Sequence, residues 1–200
     1  MDYDPIEARV PWMNFQAIDF LTRFSRPEMH VFEYGSGGST LFWAQRAAQV
    51  ISVEHDMDWA QRLHGVIMRE KLTHVKLIHQ APMLDPDFFG KKIDRPSDFI
   101  SNNPNFKRYE FKKYVDVIHR FPGEYFDIVV VDGRARPSCI MAARDKVKRR
   151  GILVVDNTER PYILQNCWPV LRDLRWERKD FHGPVPFLRH FCKTTILRKP

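Results

Sequence analysis

The chain has few cysteines. Cys139, Cys167 and Cys192 are the only three in 200 residues. They are too scattered for a disulfide framework or a zinc knuckle, so a reducing, cytoplasmic setting is expected. No run of about 18 apolar residues exists, which excludes a membrane-spanning helix. The start, Met1-Asp2-Tyr3-Asp4-Pro5, is acidic and polar, unlike a secretory signal. Internal repeats and low-complexity segments are also missing. What remains is ordinary globular material, 44% hydrophobic and 28% charged, of a length that suits one domain.

Acidic residues are outnumbered, with 32 Lys+Arg against 25 Asp+Glu and a formal charge of +7. Such an excess points to an anionic partner: a phosphate-bearing substrate, a nucleic acid or an anionic membrane face. A plain solvated basic surface accounts for it equally simply. The densest basic stretch, Arg144, Lys146, Lys148, Arg149 and Arg150, reads as a helix end, where cations suit the dipole. That local explanation disfavours a nucleic-acid partner.

Strand-like and helix-like patterns alternate. Strands are expected at His30 to Tyr34, Val50 to Val53, Val75 to Ile78, Phe126 to Val131 and Ile152 to Val155. Helices are expected at Trp12 to Phe24, Leu41 to Ala48 (capped by Ser39 or Thr40), Asp56 to Glu70 and Ser138 to Lys148, with Gly151 closing the last turn. Short apolar strands alternating with helices mark a parallel α/β sheet. In the tail, Pro161 to Leu171 reads as helix, and Arg175 to Lys179 and Phe191 to Arg198 as strands. The connection through His182-Gly183-Pro184-Val185-Pro186 is too short for a crossover, so this last pair is expected to be antiparallel. The fold class is α/β: a single Rossmann-like, doubly wound, mostly parallel sheet with an antiparallel C-terminal pair. The polar stretch from Asp85 to about Asn105 is a lid or a surface excursion. Its surroundings are rich in aromatics, so the insertion over 82–118 is expected to fold over a site and give the substrate an apolar wall.

Glu33-Tyr34-Gly35-Ser36-Gly37-Gly38-Ser39-Thr40 lies between the first strand and its helix. Glycines permit a tight turn and close approach to a ligand, and ligands bind at the carboxyl ends of such strands. A Walker loop needs a lysine that is absent here. A dinucleotide fingerprint needs a third glycine where Thr40 stands. The acid Glu33 suits a ligand with a cationic amino-acid portion better than a pyrophosphate. Glu54, ending the second strand, is placed to accept hydrogen bonds from ribose hydroxyls.

On these residues the sequence resembles the class I S-adenosylmethionine-dependent methyltransferases. Glu33-Tyr34-Gly35-Ser36-Gly37-Gly38 resembles their first motif, Ser52-Val53-Glu54-His55 their ribose-binding strand end, and Phe126 to Asp132 their fourth strand with its acid. The resemblance runs from about Trp12 to Arg198. It implies S-adenosyl-L-methionine as cofactor, held by Glu33, Gly35, Ser36, Gly37, Gly38, Glu54, His55 and Asp132. By position alone, adenine contacts fall near His79, Gln80 and Ala81.

Asp132 and Asp156-Asn157 follow adjacent strands, 24 residues apart. Two carboxylates and an amide oxygen are hard ligands that suit Mg²⁺, Mn²⁺ or Ca²⁺ rather than zinc. The trio resembles the metal site of the catechol- and caffeoyl-CoA-type O-methyltransferases. Those enzymes carry a lysine where this chain has Ala135, flanked by Arg134 and Arg136, and arginine cannot replace it as a base. The two arginines are also candidates to grip an anionic substrate. Among His55, His79, His119, His182 and His190, His182 stands out as a base because it lies in the tail hairpin. Cys139 and Cys167 read as packed thiols.

The expected activity is methyl transfer to a small-molecule or sugar hydroxyl, with Asp132, Asp156 and His182 at the acceptor and a divalent cation assisting. The other readings are an NAD-type oxidoreductase and a non-catalytic cofactor-binding module. A homodimer is compatible with the sequence.

Overall fold

A computed structural model describes residues 4–186 and 190–200. The Met1–Tyr3 start, part of the reading against a signal segment, lies outside the described residues. Seven strands form the main sheet: β1 (His30–Tyr34), β2 (Gln49–Glu54), β3 (Val75–His79), β6 (Phe126–Val131), β7 (Val147–Val155), β8 (Glu177–Pro184) and β9 (Phe191–Arg198). Their order is β3-β2-β1-β6-β7-β9-β8. The first five run parallel, and β9 is antiparallel to both β7 and β8. This matches the expected Rossmann-like sheet with its antiparallel tail.

The alternation along the strands divides the core into two layers. Phe32, Val129, Val131, Leu153 and Val155 face one side. Val31, Ile128, Val130, Ile152 and Val154 face the other. Strands buried on both faces are apolar throughout, as a parallel sheet covered by helices requires. The carboxyl ends of β1, β2, β6 and β7 all open on one edge, and the site lies there. No helix among the described residues is long and apolar enough to cross a membrane.

Several boundaries differ from the sequence reading. Helix α1 (Pro5–Ala8) precedes α2 (Phe15–Phe24), which starts later than Trp12 because the Asn14 side chain accepts from the Ala17 N–H at 2.9 Å. Helix α3 (Gly38–Ala44) starts earlier and stops sooner than the predicted Leu41 to Ala48. Its cap is Gly37, since the Thr40 hydroxyl turns inward and accepts from the Gly37 N–H. Helix α4 (Met57–Arg69) begins as expected, with the Asp56 side chain accepting from the Trp59 N–H.

Helix α6 (Arg136–Ala143) ends before the basic stretch. Val147 already begins β7, so Lys148, Arg149 and Arg150 lie on a strand and no helix dipole explains them. Lys148 instead pairs with Asp127 at 2.9 Å. Gly151 is inside β7, where a Cβ would lie 2.8 Å from the Asp127 carbonyl oxygen. The single helix expected over Pro161 to Leu171 breaks into a 3-10 turn (Pro161–Ile163) and α7 (Trp168–Asp173). Strand β8 starts two residues after Arg175 and takes in His182 and Gly183.

The 82–118 insertion divides in three. A small ribbon pairs β4 (Met83–Leu84) with β5 (Tyr109–Glu110), and α5 (Lys112–Asp116) follows. Phe111 and Tyr114 are fully buried in the core, Phe106 lines the cleft, and Phe89 points outward, 79% exposed. The aromatic wall is therefore one ring rather than a cluster.

Candidate active site

A cleft of about 640 Å³ opens at the carboxyl edge of β1, β2, β6 and β7. It lies within the roughly 300–1,000 Å³ typical of small-ligand sites. One end is built on the glycine turn. Gly35 has φ +91, and a Cβ there would meet Gly133 backbone atoms at 2.8 Å. Only glycine lets the turns after β1 and β6 approach so closely. The Ser36 N–H and hydroxyl both donate to Glu54 Oε2 at 3.0 Å. The Trp59 indole N–H donates to the Ser36 carbonyl at 2.8 Å.

Glu54 is nearly buried at 3% exposure. Its Oε1 accepts from the N–H groups of His55 and Asp56 and lies 2.6 Å from His55 Nδ1. Burial pushes its pKa up, but the His55 hydrogen bond and charge and the backbone donors outweigh that and hold it below the ordinary value. Glu54 is thus an anion fixed against the glycine turn.

Glu33 does not line the cleft. It is fully buried beneath the turn, where Oε2 accepts from the hydroxyls of Thr40 (2.6 Å) and Ser52 (2.8 Å). Its other oxygen has no partner among the described residues. Burial pushes its pKa up to about 7, against the pull of the neighbouring hydroxyls. Its place under the turn is that of a structural tie, and the expected contact with a cationic ligand group is not formed from there.

A strap that the sequence reading missed roofs this end. Pro5, Val10 and Trp12 line the cleft. A Cβ on Gly38 would fall 2.1 Å from the Pro5 carbonyl oxygen, so the strap lies directly on the turn. Asp4–Arg62, Arg9–Glu70 and the Trp12 indole on the Pro186 carbonyl hold it. Pro5 at the first position of α1 and the Asp4 cap were the available signals.

The other end holds Asp132, Arg134, Arg136, Asp156, Asn157 and Arg160. Arg136 spans the strand ends: Nε donates to the Gly133 carbonyl, Nη2 to the Asp132 carbonyl and to Asp132 Oδ1, and Nη1 to the Asp156 carbonyl. Asp156 is 1% exposed; Oδ1 accepts from the Thr194 hydroxyl at 2.6 Å and Oδ2 from the Asn157 amide at 2.8 Å. Burial, then the charge of Asp132, push its pKa up to about 7. Burial also raises Asp132, while Arg136, Arg134 and Arg160 oppose that.

These contacts do not fit the expected metal site. The Asn157 amide turns its N–H₂ toward Asp156, and Arg136 occupies an Asp132 oxygen. A guanidinium therefore already supplies positive charge between the two strand ends. Among the described residues no group of three or more His, Cys, Asp or Glu side chains is placed to hold a metal ion.

His182 is exposed on β8, its ring 5.7 Å from that of Phe191, and does not line the cleft. Strand β8 carries it outward because it lies at the sheet edge. Gln80 and Ala81 are also outside the cleft wall. His55 and His190 line it, whereas His119 is exposed beside Asp116. Cys139 and Cys167 are buried, as expected.

The sheet order and its antiparallel tail are those of a Rossmann-like fold. No protein-family model and no curated protein matches the sequence. Solved structures do share the architecture. A candidate methyltransferase of Streptococcus mutans in complex with S-adenosylhomocysteine is 12% identical, with TM-score 0.58 and 99% of each chain covered. An rRNA methylase of Streptococcus thermophilus has TM-score 0.58 at 12% identity, covering 100% of this chain and 98% of that one. An S-adenosylmethionine-dependent O-methyltransferase of Thermotoga maritima has TM-score 0.60 at 12% identity, covering 92% and 65%.

Proposed function

We propose that the protein is an S-adenosylmethionine-dependent methyltransferase acting on a hydroxyl of a small molecule. One observation carries this reading: the Gly35–Gly38 turn and the Glu54 carboxylate stand in contact, on the wall of the same cleft as Asp132 and Asp156. The cofactor supplies an already activated methyl group. The protein's work is then alignment of acceptor, methyl and sulfur, a proximity effect.

The glycine turn gives the cofactor close backbone approach. Glu54 offers carboxylate oxygens to the ribose, where a ligand hydroxyl takes over the place of the Ser36 hydroxyl. Trp59 and the Pro5–Trp12 strap cover this end and exclude water. At the other end Asp132 orients the acceptor hydroxyl, while Asp156, its oxygens taken by Thr194 and Asn157, holds the adjoining strand end in place. Arg136 holds both strand ends and supplies the fixed positive charge there. His182 has no part in it.

The NAD reading draws no support from the antiparallel β8–β9 tail, and the binding-module reading is separated by activity. The test is calorimetry with S-adenosylhomocysteine and with NAD, followed by transfer of labelled methyl from S-adenosylmethionine to a panel of hydroxyl compounds. Binding of S-adenosylhomocysteine with methyl transfer is the expected result. Binding of NAD alone overturns the proposal, and cofactor binding without transfer across the panel leaves the binding module.

A further inference from the structure

The geometry points to an oxyanion grip at the acceptor end of the cleft: Arg134 and Arg160 receive a phosphate or carboxylate carried by a small-molecule acceptor. The inference deepens the methyltransferase reading by naming the substrate class, and rests on it for that role.

Arg134 is the central observation. It is half-buried on the cleft wall, yet among the described residues no carboxylate stands within ion-pair distance of it. Burial, then the nearby charge of Arg136, lower its pKa. A half-buried cation with no direct ion pair, facing only the more distant charges of Glu54 and Asp132, gains from an incoming anion. Its Nε–H donates to His55 Nε2 at 3.2 Å, and its guanidinium lies 5.5 Å from the centre of the Phe106 ring. His55 is in turn held by Glu54 through Nδ1. Fixing the Nε–H in this way leaves the two terminal nitrogens as a preorganised fork for oxygen pairs.

Arg160 is the second arm. Its only ion pair among the described residues is with its neighbour Glu159, at 3.7 Å. It and Arg134 are both near enough to act on Asp132. Asn103 and Asn105, from the insertion, line the same cleft and add neutral polar groups. Arg136 is not part of the grip, since the ends of β6 and β7 use its nitrogens.

The acceptor is a small molecule rather than a polynucleotide for a geometric reason. The dense basic stretch Lys148 to Arg150 sits on the first half of β7, at the sheet edge opposite the cleft. It cannot extend a positive track from Arg134 and Arg160. The strap and the Asn103–Phe106 loop also wall the cleft on either side.

The test uses the full chain, with and without saturating S-adenosylhomocysteine, at low ionic strength. Inorganic phosphate is titrated into wild type, Arg134→Gln and Arg160→Gln by calorimetry. Phosphate binding by wild type, weakened about tenfold or more in each variant while S-adenosylhomocysteine affinity stays within about threefold in Arg160→Gln, is expected. Absent phosphate binding by wild type, or wild-type phosphate affinity in either variant, overturns the proposal. If Arg134→Gln misfolds, Arg160→Gln and Arg134→Lys carry the comparison. Glucose 6-phosphate against glucose, and 3-hydroxybenzoate against its methyl ester, then separate phosphate from carboxylate as the favoured group in methyl transfer. Competition by single-stranded RNA, with none by phosphate monoesters, overturns the small-molecule assignment. Failure of S-adenosylhomocysteine to bind while phosphate still does rejects the methyltransferase reading and leaves the anion site standing.

Discussion

Arg136 Nη2 lies 2.9 Å from Asp132 Oδ1, and the same guanidinium donates to the carbonyl of Asp156 on the next strand. One side chain thereby ties the ends of β6 and β7. Lysine keeps the charge but not the planar fork. Arg136→Lys leaves carbonyl oxygens unmatched and is expected to destabilise the fold by about 2–3 kcal/mol. Urea unfolding measures it, and a negligible change would remove Arg136 as the tie.

The same contact predicts indifference to metal. A ligand that binds only the folded state raises the melting temperature. Millimolar magnesium or manganese is expected to leave the melting temperature unchanged, and chelation to leave S-adenosylhomocysteine affinity unchanged. A rise of several degrees with either ion would restore Asp132, Asp156 and Asn157 as ligands.

Glu33 sets a pH dependence. Its folded pKa is about 7 against an ordinary 4.5. Between those values the folded chain holds a proton that the unfolded chain has lost. Its contribution to stability therefore falls as pH rises through that window, reaching about 3 kcal/mol of destabilisation above it. Glu33→Gln is expected to flatten this slope, gaining on wild type between about pH 5 and pH 8. Parallel urea midpoints for both proteins across that range would show that Glu33 does not titrate there.

Glu54→Gln preserves the shape of the side chain and removes its charge. Loss of the charge-assisted contacts is expected to weaken S-adenosylhomocysteine binding about tenfold, roughly 1.4 kcal/mol, with the circular dichroism spectrum retained. An unchanged dissociation constant would take Glu54 out of the site.

Gly38→Ala tests the strap. The added methyl must displace the Pro5 carbonyl, a backbone group 2.1 Å away. Overpacking of this kind costs about 1–3 kcal/mol. Faster release of S-adenosylhomocysteine is expected in stopped flow, and an unaltered off-rate would mean that the strap does not retain the ligand.

The sheet was legible because its strands carry an unambiguous signal: FDIVVV and ILVV are too apolar and too short for anything but covered strands. Glu54 and the glycine turn followed from position in that sheet. Orientation was not legible. Glu33 reads as a ligand-facing acid until Thr40 and Ser52 are seen to draw it beneath the turn. Asp132, Asp156 and Asn157 have the composition of a metal site, and the long reach of Arg136, four residues past Asp132, with the turn of the Asn157 amide toward Asp156, makes their contacts a poor fit to one. His182 lost its place for a different reason. Strand β8 runs on to Pro184, past the expected end at Lys179, and so takes His182 onto an outer strand. The strap escaped because a four-residue helix has no periodicity to read.

The bond from the Trp12 indole to the Pro186 carbonyl joins positions 174 residues apart. Loop closure on that scale carries a large entropic cost and rewards only the nearly complete molecule. The Asn14 amide, bonded to the Phe181 carbonyl and the Thr194 hydroxyl, already closes that loop, so the strap docks against the tail with most of the entropic cost met.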